Sequence, residues 1–430
     1  MDKLKKIAVA SLGCKTNQYE MDALAQSFRE RGFMAVDARE EADVYVLNTC
    51  TVTAEAERKA RQMLRRFRRQ NKEALIVASG CYSQRSNLRE LADLVIGTGQ
   101  RDVLPELILN ALGGRGPDTF IPEASDWTRY EELDAPAVPD ETRAFLKIQD
   151  GCDNRCAYCA ICLARGPSRS RELAEIAREA RHLLDLGYRE LVLTGTNLNQ
   201  FDNPDLISVL EALDPLEGLA RLRLGSLESA TITEDFVSRA AALEHFCPSF
   251  HLSLQSGSDR ILRAMRRRDN REKFEAAVCR IRMAFPKAGI TTDIIVGFPG
   301  ETEEDFQDTM EFCSRISFLR IHVFRFSRRP GTAADRMPGQ QDDQVSLERS
   351  ERLRELAKKE AEKAIRERMG QVRELLVEQC DGEGRAWGYT EDYLHAGVQI
   401  PQDGPPPRQG DIRKIRITGL EGESARAEFL

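Results

Sequence analysis

The first part of the chain alternates short apolar runs with stretches of helical periodicity. Short apolar runs bounded by turn residues are typical of buried strands, and apolar positions three or four residues apart indicate amphipathic helices. The predicted strands are Ile7–Leu12, Val44–Asn48, Leu75–Ser79 and Leu94–Ile96. The predicted helices are Asn17–Arg31, Ala54–Gln70 and Asp102–Leu112. This order predicts an open parallel βα sheet over residues 1–112.

A second region of alternation covers residues 142–342, after a linker at 113–141 that is rich in Gly, Pro and Asp. Its predicted strands are Phe145–Ile148, Glu190–Leu193, Arg221–Leu224, Ser249–Leu254, Thr291–Val296 and Arg320–Val323. Its predicted helices are Arg171–Leu186, Thr233–Leu243, Ser258–Arg267, Lys273–Phe285 and Thr302–Ser314. Repeated strand–helix units of this kind predict a partial (β/α)6 barrel.

The pattern changes twice more before the end of the chain. Residues 343–369 carry mixed charges with helical periodicity, which is typical of a solvent-exposed connecting helix. Residues 370–430 show short alternating strands with Gly and Pro turns, at Val372–Glu378, Arg385–Tyr389, Leu394–Val398, Asp411–Thr418 and Ala425–Phe429. They predict a small five-stranded β-barrel. The predicted fold class is therefore α/β with an N-terminal open sheet, a partial barrel and a C-terminal β-barrel.

Composition narrows the function classes only moderately. The chain has 430 residues, of which 41% are hydrophobic and 31% charged, as in an ordinary globular protein. No apolar run approaches the length of a membrane span, and Met1–Lys6 is too polar for a signal peptide. We therefore expect a cytoplasmic protein without a membrane partner.

Three basic segments bear on the choice of partner. The net charge of −7 argues against a uniformly basic nucleic-acid binder, but local patches matter more than the sum. Arg58–Lys72 has eight basic residues and no acidic one, and Arg263–Arg271 has five against one. Arg320–Arg329 adds four more. Each segment can be a solvated helix face or loop, yet together they are consistent with a polyanionic substrate.

Three cysteines with C-x3-C-x2-C spacing follow the first predicted barrel strand. They are Cys152, Cys156 and Cys159, in the run GCDNRCAYC. Thiolates this close on one loop can hold three irons of a [4Fe–4S] cluster and leave the fourth iron open. The spacing resembles the signature of the radical S-adenosylmethionine (SAM) enzymes, in which SAM occupies the open iron. In that interpretation these three cysteines are both the metal ligands and the centre of catalysis.

A fourth cysteine keeps other metal sites open. Cys162 follows Cys159 with the same two-residue gap, so overlapping C-x2-C pairs arise. Zinc, or a cluster with four protein ligands, remains an alternative at this loop. We interpret the remaining isolated cysteines as ordinary thiols; they are Cys247, Cys279, Cys313 and Cys380.

A second set of three cysteines lies in the N-terminal region. Cys14, Cys50 and Cys81 each follow one of the first three predicted strands. The carboxyl ends of parallel strands share one edge of a sheet, where ligands bind, so these thiols are expected to converge. The eleven cysteines and the absence of a secretion pattern favour metal ligation over disulfide bonds. We predict a second three-cysteine cluster at this edge.

Further candidates lie at the ends of the predicted barrel strands, where active residues of such barrels sit. Tyr158 lies inside the cysteine loop and can pack on the adenine of SAM. The other candidate SAM contacts are Gly195 and Asn197 after the second strand, Ser226 and Glu228 after the third, Gln255 after the fourth and Gly297 after the fifth. Glycine and polar residues after strands are often only turns. His251 and His322 fall within apolar strands, and we interpret them as core histidines.

The chain resembles the methylthiotransferase family of radical SAM enzymes over nearly its whole length. The matching stretches are SLGCKTNQYE, NTCTVTAEAERKARQ, ASGCY, CDNRCAYC, ARGPSRSR, LTGTN, FHLSLQSGSDRIL, TTDIIVGFPGETEEDF and GYTEDY. The resemblance implies an auxiliary [4Fe–4S] cluster on Cys14, Cys50 and Cys81 and a SAM-binding [4Fe–4S] cluster on Cys152, Cys156 and Cys159. It also implies that residues 370–430 form an RNA-binding TRAM barrel.

Two positions depart from the family pattern. Cys162 stands where a Pro usually follows the third ligand, and Phe324–Ser327 reads FRFS where FPYS is more usual. Within the family, GCKTNQYE and NTCTVT are most similar to the branch that converts N6-threonylcarbamoyladenosine, next to the anticodon of tRNA, to its 2-methylthio derivative. Sister branches act on isopentenyladenosine in tRNA or on an aspartate of a ribosomal protein.

The resemblance implies two open clusters, two SAM molecules per product, a tRNA anticodon loop as substrate and an external electron donor. One SAM methylates the sulfur, and the other is cleaved reductively to activate carbon 2 of the adenine. An alternative of a different class is a non-catalytic RNA-binding protein that is stabilised by metal.

Overall fold

The computed structural model describes residues 5–99, 101–114, 121–133, 141–401 and 406–430. Parts of the predicted linker, 115–120 and 134–140, lie outside the described residues, as do 1–4, 100 and 402–405.

The N-terminal sheet has five parallel strands in the order β2-β1-β3-β4-β5. They are β1 Lys6–Ser11, β2 Met34–Val36, β3 Val44–Thr49, β4 Leu75–Gly80 and β5 Leu94–Val95. Its helices are α1 Lys15–Glu30, α2 Ala54–Gln70, α3 Cys81–Arg85 and α4 Leu104–Leu112. The predicted open parallel sheet is confirmed. The short elements β2 and α3 carry too few residues to give a periodic signal.

Two layers of apolar packing hold this sheet. The central strand β3 is buried along its full length, and helices cover both faces. On one face Phe67 of α2 stacks on Tyr45 with ring centroids 4.5 Å apart. The N-terminus of α2 is capped by Thr53, whose side chain accepts a hydrogen bond from the Ala56 amide. The loop between β3 and α2, which contains Cys50, is therefore fixed at both ends.

The middle region contains a partial barrel. Its strands are β6 Arg143–Asp150, β7 Arg169–Ser170, β8 Glu190–Gly195, β9 Arg221–Leu224, β10 Ser226–Leu227, β11 Ser249–Leu252, β12 Gly289–Val296 and β13 Arg320–Arg325. Its helices are α5 Ile161–Arg165, α6 Leu173–Asp185, α7 Leu206–Leu213, α8 Glu234–Ala241, α9 Asp259–Ala264, α10 Arg271–Ala284 and α11 Glu303–Ile316. The sheets β7-β6-β8-β9 and β10-β11-β12-β13 meet where β9 leads into β10. The predicted partial barrel is confirmed.

Alternation along the barrel strands separates the helix-facing side from the lumen. Ala144 and Leu146 of β6 and Leu191 and Leu193 of β8 belong to the core under the helices. The residues between them point to the opposite face, so Phe145 faces the lumen. The helix α1 of the N-terminal sheet packs beside β6 and β8. The N-terminal sheet therefore lies against the β6 side of the barrel.

A long helix and a closed five-stranded barrel complete the chain. The helix α12 Asp343–Arg366 was predicted to be exposed, but Leu353 and Ile365 are buried because they pack on the barrels on either side. The last strands are β14 Val372–Cys380, β15 Arg385–Thr390, β16 His395–Gln399, β17 Ile412–Glu421 and β18 Ser424–Phe429. They close in the order β14-β15-β16-β18-β17, and the predicted small β-barrel is confirmed.

The C-terminal barrel closes the base of the partial barrel. Arg221 donates hydrogen bonds to the carbonyls of Tyr389, at 3.0 Å, and Glu374, at 2.6 Å. Arg223 donates to the carbonyls of Thr390, at 3.2 Å, and Glu391, at 3.1 Å. Both arginines begin β9, so these bonds join the two barrels at the amino ends of the strands. Among the described residues, no helix is long and apolar enough to cross a membrane.

Candidate functional site

The cysteines of the N-terminal sheet lie at one edge, as their position after strands predicts. Cys14 caps the start of α1, Cys50 follows β3, and Cys81 opens α3 directly after β4. The chain reaches Cys14 through Gly13, whose φ is +118°. A Cβ at Gly13 would lie 3.0 Å from the Cβ of Cys50 and 3.1 Å from its Sγ. Glycine therefore permits the close approach of the first two cysteine loops.

The three thiols are close enough to influence one another. Burial above all, with a smaller effect of negative charge on Cys81 and Cys14, raises the pKa of the Cys50 thiol to about 12. Burial also raises the pKa of Cys81, and the nearby Arg165 guanidinium opposes this rise. Metal binding requires thiolates, so loading this edge with metal has to release protons.

A buried network lies beneath this edge. Asn17 contacts Cys14, with its Oδ1 3.4 Å from the sulfur, and donates to Asn48 Oδ1 at 3.2 Å. Arg165 donates to Asn17 at 2.9 Å and to Glu20 and Asp150 at 2.8 Å each. Lys147 and Arg101 also belong to this network, because each forms an ion pair with Glu20 Oε1. The nitrogen–oxygen distances are 2.9 Å for Lys147 and 3.0 Å for Arg101. These side chains are almost fully buried.

The second cysteine loop connects β6 to α5 and is held by the barrel. The Sγ of Cys152 accepts a hydrogen bond from Asn197 Nδ2 at 3.5 Å. The Sγ of Cys159 accepts one from the Ile161 amide at 3.4 Å. Burial raises the pKa of Cys159 to about 12, and the other cysteines of the loop add to the rise. The loop therefore brings its half-buried thiols close enough for their charges to act on one another.

Cys162 lies in the first turn of α5, beside the three motif cysteines. Its Sγ lies 4.0 Å from the carbonyl oxygen of Cys159. It lines a cavity of about 350 Å³ together with Cys156 and Cys159. Three arginines also line this cavity: Arg155, Arg266 and Arg336.

The spacing of the thiols bears on which metal group they fit. Thiolates that share one zinc ion lie about 4 Å apart, because each zinc–sulfur bond is about 2.3 Å long. Among the described residues, the one group of three metal-binding side chains whose ligand atoms all lie within 4.8 Å contains no cysteine. In the described part of the chain, no three cysteine sulfurs therefore lie as close together as three ligands of one zinc ion do.

A cavity of about 170 Å³ lies between the two cysteine loops. Val52 and Thr53, two and three residues after Cys50, form one side, and Tyr158 and Cys159 form another. The remaining wall comes from the barrel: Ala160, Ile161, Gln255, Asp293, Ile295, Phe324, Arg325, Phe326 and Ser327. The amide of Ala54 donates to Ser327 Oγ at 3.0 Å, and this hydrogen bond joins the N-terminal region to the partial barrel beside the cavity. A ligand in this cavity would contact both loops.

The structure brings several predicted SAM contacts to this place. Tyr158 and Gln255 line the cavity, and Asn197 contacts Cys152. Gln255 adopts a φ of +76°, which is rare for a residue with a side chain. Two hydrogen bonds with β12 hold it in this conformation. The Gln255 amide donates to the Asp293 carbonyl at 2.8 Å, and the Gln255 carbonyl accepts from the Ile295 amide at 2.9 Å. Strain of this kind, maintained by its surroundings, is typical of ligand sites.

Glu228 is held by residues that the sequence patterns missed. It accepts hydrogen bonds from Asn154 at 3.0 Å and from Arg267 at 2.7 Å. Burial raises the pKa of the nearby Tyr158 phenol well above its usual range, and the Arg267 guanidinium opposes this rise. Asn154 and Arg267 therefore connect the cysteine loop to the end of the third barrel strand.

The other predicted contacts lie further from the cavity. Ser226 is exposed in β10. A Cβ at Gly195 would lie 2.9 Å from Gln149, and one at Gly297 would lie 2.2 Å from Ser346 Oγ of α12. A side chain of the protein therefore already fills the space beside each glycine on the face where a Cβ would point.

The two histidines predicted in the core are not core residues. His251 is half-buried and His322 is exposed. His251 contacts Thr291 Oγ1 at 2.9 Å and Asp293 Oδ2 at 3.2 Å. Although part of the His322 ring is exposed, the protein around it removes some of its water, and this desolvation lowers its pKa. The charges of His251, Arg320 and Lys15 also lower the pKa, whereas Asp293 raises it. The prediction was wrong because these strands alternate, and the histidines occupy the lumen-facing positions.

The three basic segments differ in how much charge they present. On α2, the exposed basic residues are Arg58, Lys59, Arg65 and Arg69. In the second segment Arg267 forms an ion pair with Glu228. In the third segment Arg329 is buried and forms an ion pair with Glu57 at 2.7 Å. Arg58 and Lys59 pair with Glu55, so α2 presents Arg65 and Arg69 as exposed cations without an ion pair among the described residues. The second segment likewise presents Arg263, Arg266 and Arg268, but α2 is the segment that starts next to the cavity.

Comparisons with protein families match both cysteine regions. The Radical SAM superfamily matches residues 146–313, and the Uncharacterized protein family UPF0004 matches residues 6–97. Threonylcarbamoyladenosine tRNA methylthiotransferase MtaB of Bacillus subtilis is 37% identical over 424 residues, which is 96% of this chain and 93% of the relative. The MtaB of Thermotoga maritima is 34% identical over 99% of this chain and 98% of the relative. The tRNA-2-methylthio-N(6)-dimethylallyladenosine synthase of Pelotomaculum thermopropionicum is 33% identical over 97% of this chain and 96% of the relative.

Solved structures share the architecture at lower sequence identity. The radical SAM methyltransferase TsrM of Kitasatospora setae superposes with a TM-score of 0.59 at 16% identity, over 77% of each chain. The cobalamin-dependent radical SAM enzyme OxsB has a TM-score of 0.51 at 12% identity, over 83% of this chain and 56% of that one. These likenesses show the fold alone.

Proposed function

The chain belongs to the methylthiotransferase family of radical SAM enzymes, and on this premise we propose that it adds a methylthio group to carbon 2 of N6-threonylcarbamoyladenosine next to the anticodon of tRNA. The relatives named for this substrate are 34–37% identical over most or all of their length. Relatives named for dimethylallyladenosine are 33% identical. The difference is small, but the opening GCKTNQYE motif favours the same branch.

The observation that carries the proposal is the position of the 170 Å³ cavity between the two cysteine loops. Transfer of a sulfur-containing group to an adenine needs a source of sulfur and an activating cofactor on either side of one base. A cavity with Cys159 on one wall and Val52, two residues after Cys50, on another offers that arrangement. The carbon that reacts would lie between them.

We assign the metal ligands by combining the sequence motif with this geometry. Cys152, Cys156 and Cys159 would hold the [4Fe–4S] cluster that binds SAM, and Cys14, Cys50 and Cys81 would hold the auxiliary cluster. When bound, these groups supply reductive cleavage of SAM and the sulfur that is transferred. Three ligands for each cluster leave one iron open for SAM or sulfur.

The surrounding side chains orient the ligands and exclude water. Tyr158 and Gln255 would contact SAM in the cavity, with Asn197 and Glu228 beside the cysteine loop. Asn197 donates to the sulfur of Cys152, and a hydrogen bond to a thiolate raises the reduction potential of a cluster. The Arg267 guanidinium holds Glu228 at 2.7 Å, so the carboxylate is fixed before a ligand arrives. We retain Ser226, Gly195 and Gly297 as more distant candidates.

We propose that residues 1–112, 142–342 and 370–430 act as an auxiliary-cluster domain, a radical SAM domain and a TRAM-like RNA-binding domain. The linker 113–141 and the helix 343–369 would join them. The exposed arginines of α2 would hold phosphates of the anticodon loop, where bases can leave the stack. A cytoplasmic location and an external electron donor follow from this reaction.

The test is anaerobic product formation on synthetic anticodon stem–loops. Reconstituted protein with SAM, sulfide and a strong reductant should convert an RNA with N6-threonylcarbamoyladenosine to its 2-methylthio derivative, detected by mass spectrometry of the nucleosides. Stem–loops with adenosine or isopentenyladenosine are the matched substrates, and Cys156→Ala is the inactive control. If product forms only on the isopentenyladenosine RNA, the chain has the activity of the sister branch and the proposed substrate is wrong. Modification of a ribosomal-protein aspartate alone would overturn RNA as the substrate.

A further inference from the structure

Lys15 places an ammonium group in the lumen of the partial barrel. It is the first residue of α1 and directly follows Cys14. Its Nζ lies 5.4 Å from the ring centroid of Phe145, a lumen-facing residue of β6, and 6.0 Å from that of Tyr393. Tyr393 belongs to the turn between β15 and β16, at the base of the partial barrel. The cation is therefore surrounded by walls from three parts of the chain.

Lys15 lacks the counter-ion that its cationic neighbours have. Arg143 pairs with Glu378 at 2.8 Å, and Arg223 pairs with Glu190 at 2.8 Å. In the part of the chain that the structure describes, no carboxylate lies within 4.0 Å of Lys15 Nζ. Besides the two aromatic rings, the charged groups that act on Lys15 are Arg143, Arg223 and Glu190. With Glu378, this half-buried region holds three cations against two carboxylates, so it gains from an incoming anion.

The proposed substrate carries such an anion close to the reacting carbon. The threonyl carboxylate is part of the substituent on N6 of the adenine, whereas an isopentenyl substituent has no charge. Carbon 2 and the N6 substituent flank the same ring nitrogen of adenine. Asp293 lines the 170 Å³ cavity, and the charge of Lys15 acts on His322, which lies beside Asp293. A substituent that extends from the cavity into the lumen therefore approaches Lys15.

We propose that Lys15 binds the threonyl carboxylate of N6-threonylcarbamoyladenosine and so selects this nucleoside over those with uncharged substituents. The inference rests on the substrate proposed above. Lys15 is thus a specificity residue: it contacts the substituent and takes no part in bond formation. Lys15 directly follows Cys14, so a metal bound to Cys14 would fix the backbone of Lys15. A fixed backbone helps the ammonium group to form a directed, charge-assisted hydrogen bond with the carboxylate.

The experiment compares two RNAs that differ only in the carboxylate. One stem–loop carries N6-threonylcarbamoyladenosine, and the other carries its threoninamide analogue, which is neutral and nearly isosteric. The value of kcat/KM for methylthiolation is measured on both, with wild-type protein and with Lys15→Met. Wild type should prefer the carboxylate by about 10- to 100-fold, the range of a hydrogen bond between charged groups. Lys15→Met should lose that preference through a fall on the carboxylate RNA alone.

Other roles of Lys15 give different results. If Lys15 binds an RNA phosphate or only stabilises the fold, Lys15→Met lowers both values equally and keeps the ratio, which overturns the proposal. A wild type that does not distinguish the two RNAs overturns it as well. A wild type that modifies neither RNA instead contradicts the proposed function.

Two variants guard against a folding defect. Lys15→Arg keeps the charge and should keep the preference, and Lys358→Met on the exposed face of α12 should resemble wild type. If Lys15→Met does not retain iron, Lys15→Gln takes its place in the same comparison. Equilibrium binding of the two RNAs without SAM gives the same ratio independently of turnover, and an unchanged ratio there also overturns the proposal.

Discussion

Glu20 Oε1 accepts a hydrogen bond from Arg165 Nη1 at 2.8 Å, and this ion pair joins the N-terminal sheet to the partial barrel. Glu20 lies on α1, which begins after Cys14, and Arg165 lies on α5, which begins after Cys159. Both side chains are almost fully buried. A guanidinium has a rigid planar geometry, so this contact fixes the distance between the two cysteine loops.

Replacing Glu20 by Gln should destabilise the protein by about 3–5 kcal/mol at pH 7, because Lys147 and Arg165 then share Asp150 as their one close carboxylate and Arg101 keeps only Glu131. The measurement is urea unfolding of the metal-free protein under anaerobic conditions, followed by tryptophan fluorescence. Glu30→Gln, at the exposed end of the same helix, is the matched control and should change the free energy of unfolding by less than about 0.5 kcal/mol. Equal effects of both variants would contradict a special role of the network.

The same carboxylate predicts a pH dependence. Although burial opposes it, the charges of Arg101, Arg165 and Lys147 hold the pKa of Glu20 at about 2. A carboxylate with a lowered pKa contributes stability that is present above its unfolded value of about 4.3 and is lost as the pH falls toward 2. Wild type should therefore lose more unfolding free energy between pH 5 and pH 3 than Glu20→Gln does. Parallel pH profiles would show that Glu20 is not the group responsible.

Substitution of a single cysteine ligand in either set should remove about half of the iron from the reconstituted protein. Wild type should hold about eight irons per chain, and Cys50→Ala or Cys156→Ala should each lose about four. Cys50→Ala should still cleave SAM to 5′-deoxyadenosine, whereas Cys156→Ala should not, since the assignments place SAM at the second loop.

Cys162→Ala distinguishes a three-cysteine site from one with four protein ligands. Cys162 stands outside the C-x3-C-x2-C set, and its sulfur lies 4.0 Å from the carbonyl oxygen of Cys159, so we expect this variant to keep its iron and its SAM cleavage. Cys279→Ala, at an exposed position of α10, is the matched control. Loss of iron in Cys162→Ala alone would mean that a fourth thiol binds the cluster and closes the position meant for SAM.

The exposed basic face of α2 should determine the salt dependence of RNA binding. Replacing Arg65 and Arg69 by Gln removes two cations that can hold phosphates. The slope of log Kd against log salt should fall by about 1.4, because each single-strand phosphate that the protein no longer neutralises reduces it by about 0.7. Fluorescence anisotropy of a labelled stem–loop measures it, and Arg354→Gln on α12 is the control. An unchanged slope would place the RNA on another surface.

Glu228 should matter for SAM rather than for RNA. Glu228→Gln removes the charge that Arg267 holds beside the cysteine loop and should weaken SAM binding about 10- to 100-fold. Equilibrium dialysis of SAM measures the effect on the iron-loaded protein, and Glu234→Gln on α8 provides an exposed control. A normal affinity for SAM, with iron content intact, would remove Glu228 from the SAM site.

Much of the architecture could be predicted because hydrophobic period is a local signal. The runs around Val46 and Val77 are continuous and buried, so Cys50 and Cys81 could be placed at strand ends from their neighbours alone. The helix α2 was predicted at its observed bounds, Ala54–Gln70, because its apolar positions are regularly spaced and Thr53 precedes it.

The buried charges could not be predicted in the same way. Glu20 lies in a helix of mixed composition, and its partners Lys147 and Arg165 are more than 120 residues away along the chain. A carboxylate within a helix is interpreted as exposed unless its partners are known. His251 and His322 were misplaced for the opposite reason: their apolar neighbours suggested a core, whereas the side chains themselves face the lumen.

The closure of the partial barrel by the C-terminal barrel determines when the enzyme can be completed during its synthesis. In the described part of the chain, the carbonyl groups that accept hydrogen bonds from Arg221 and Arg223 all lie within residues 374–391. A ribosome makes those residues after the whole barrel sequence has emerged. Until then the base of the lumen, including the Tyr393 side of the Lys15 site, stays open to water. The nascent chain therefore cannot hold a finished substrate site, and maturation is completed only once translation has passed the last strands.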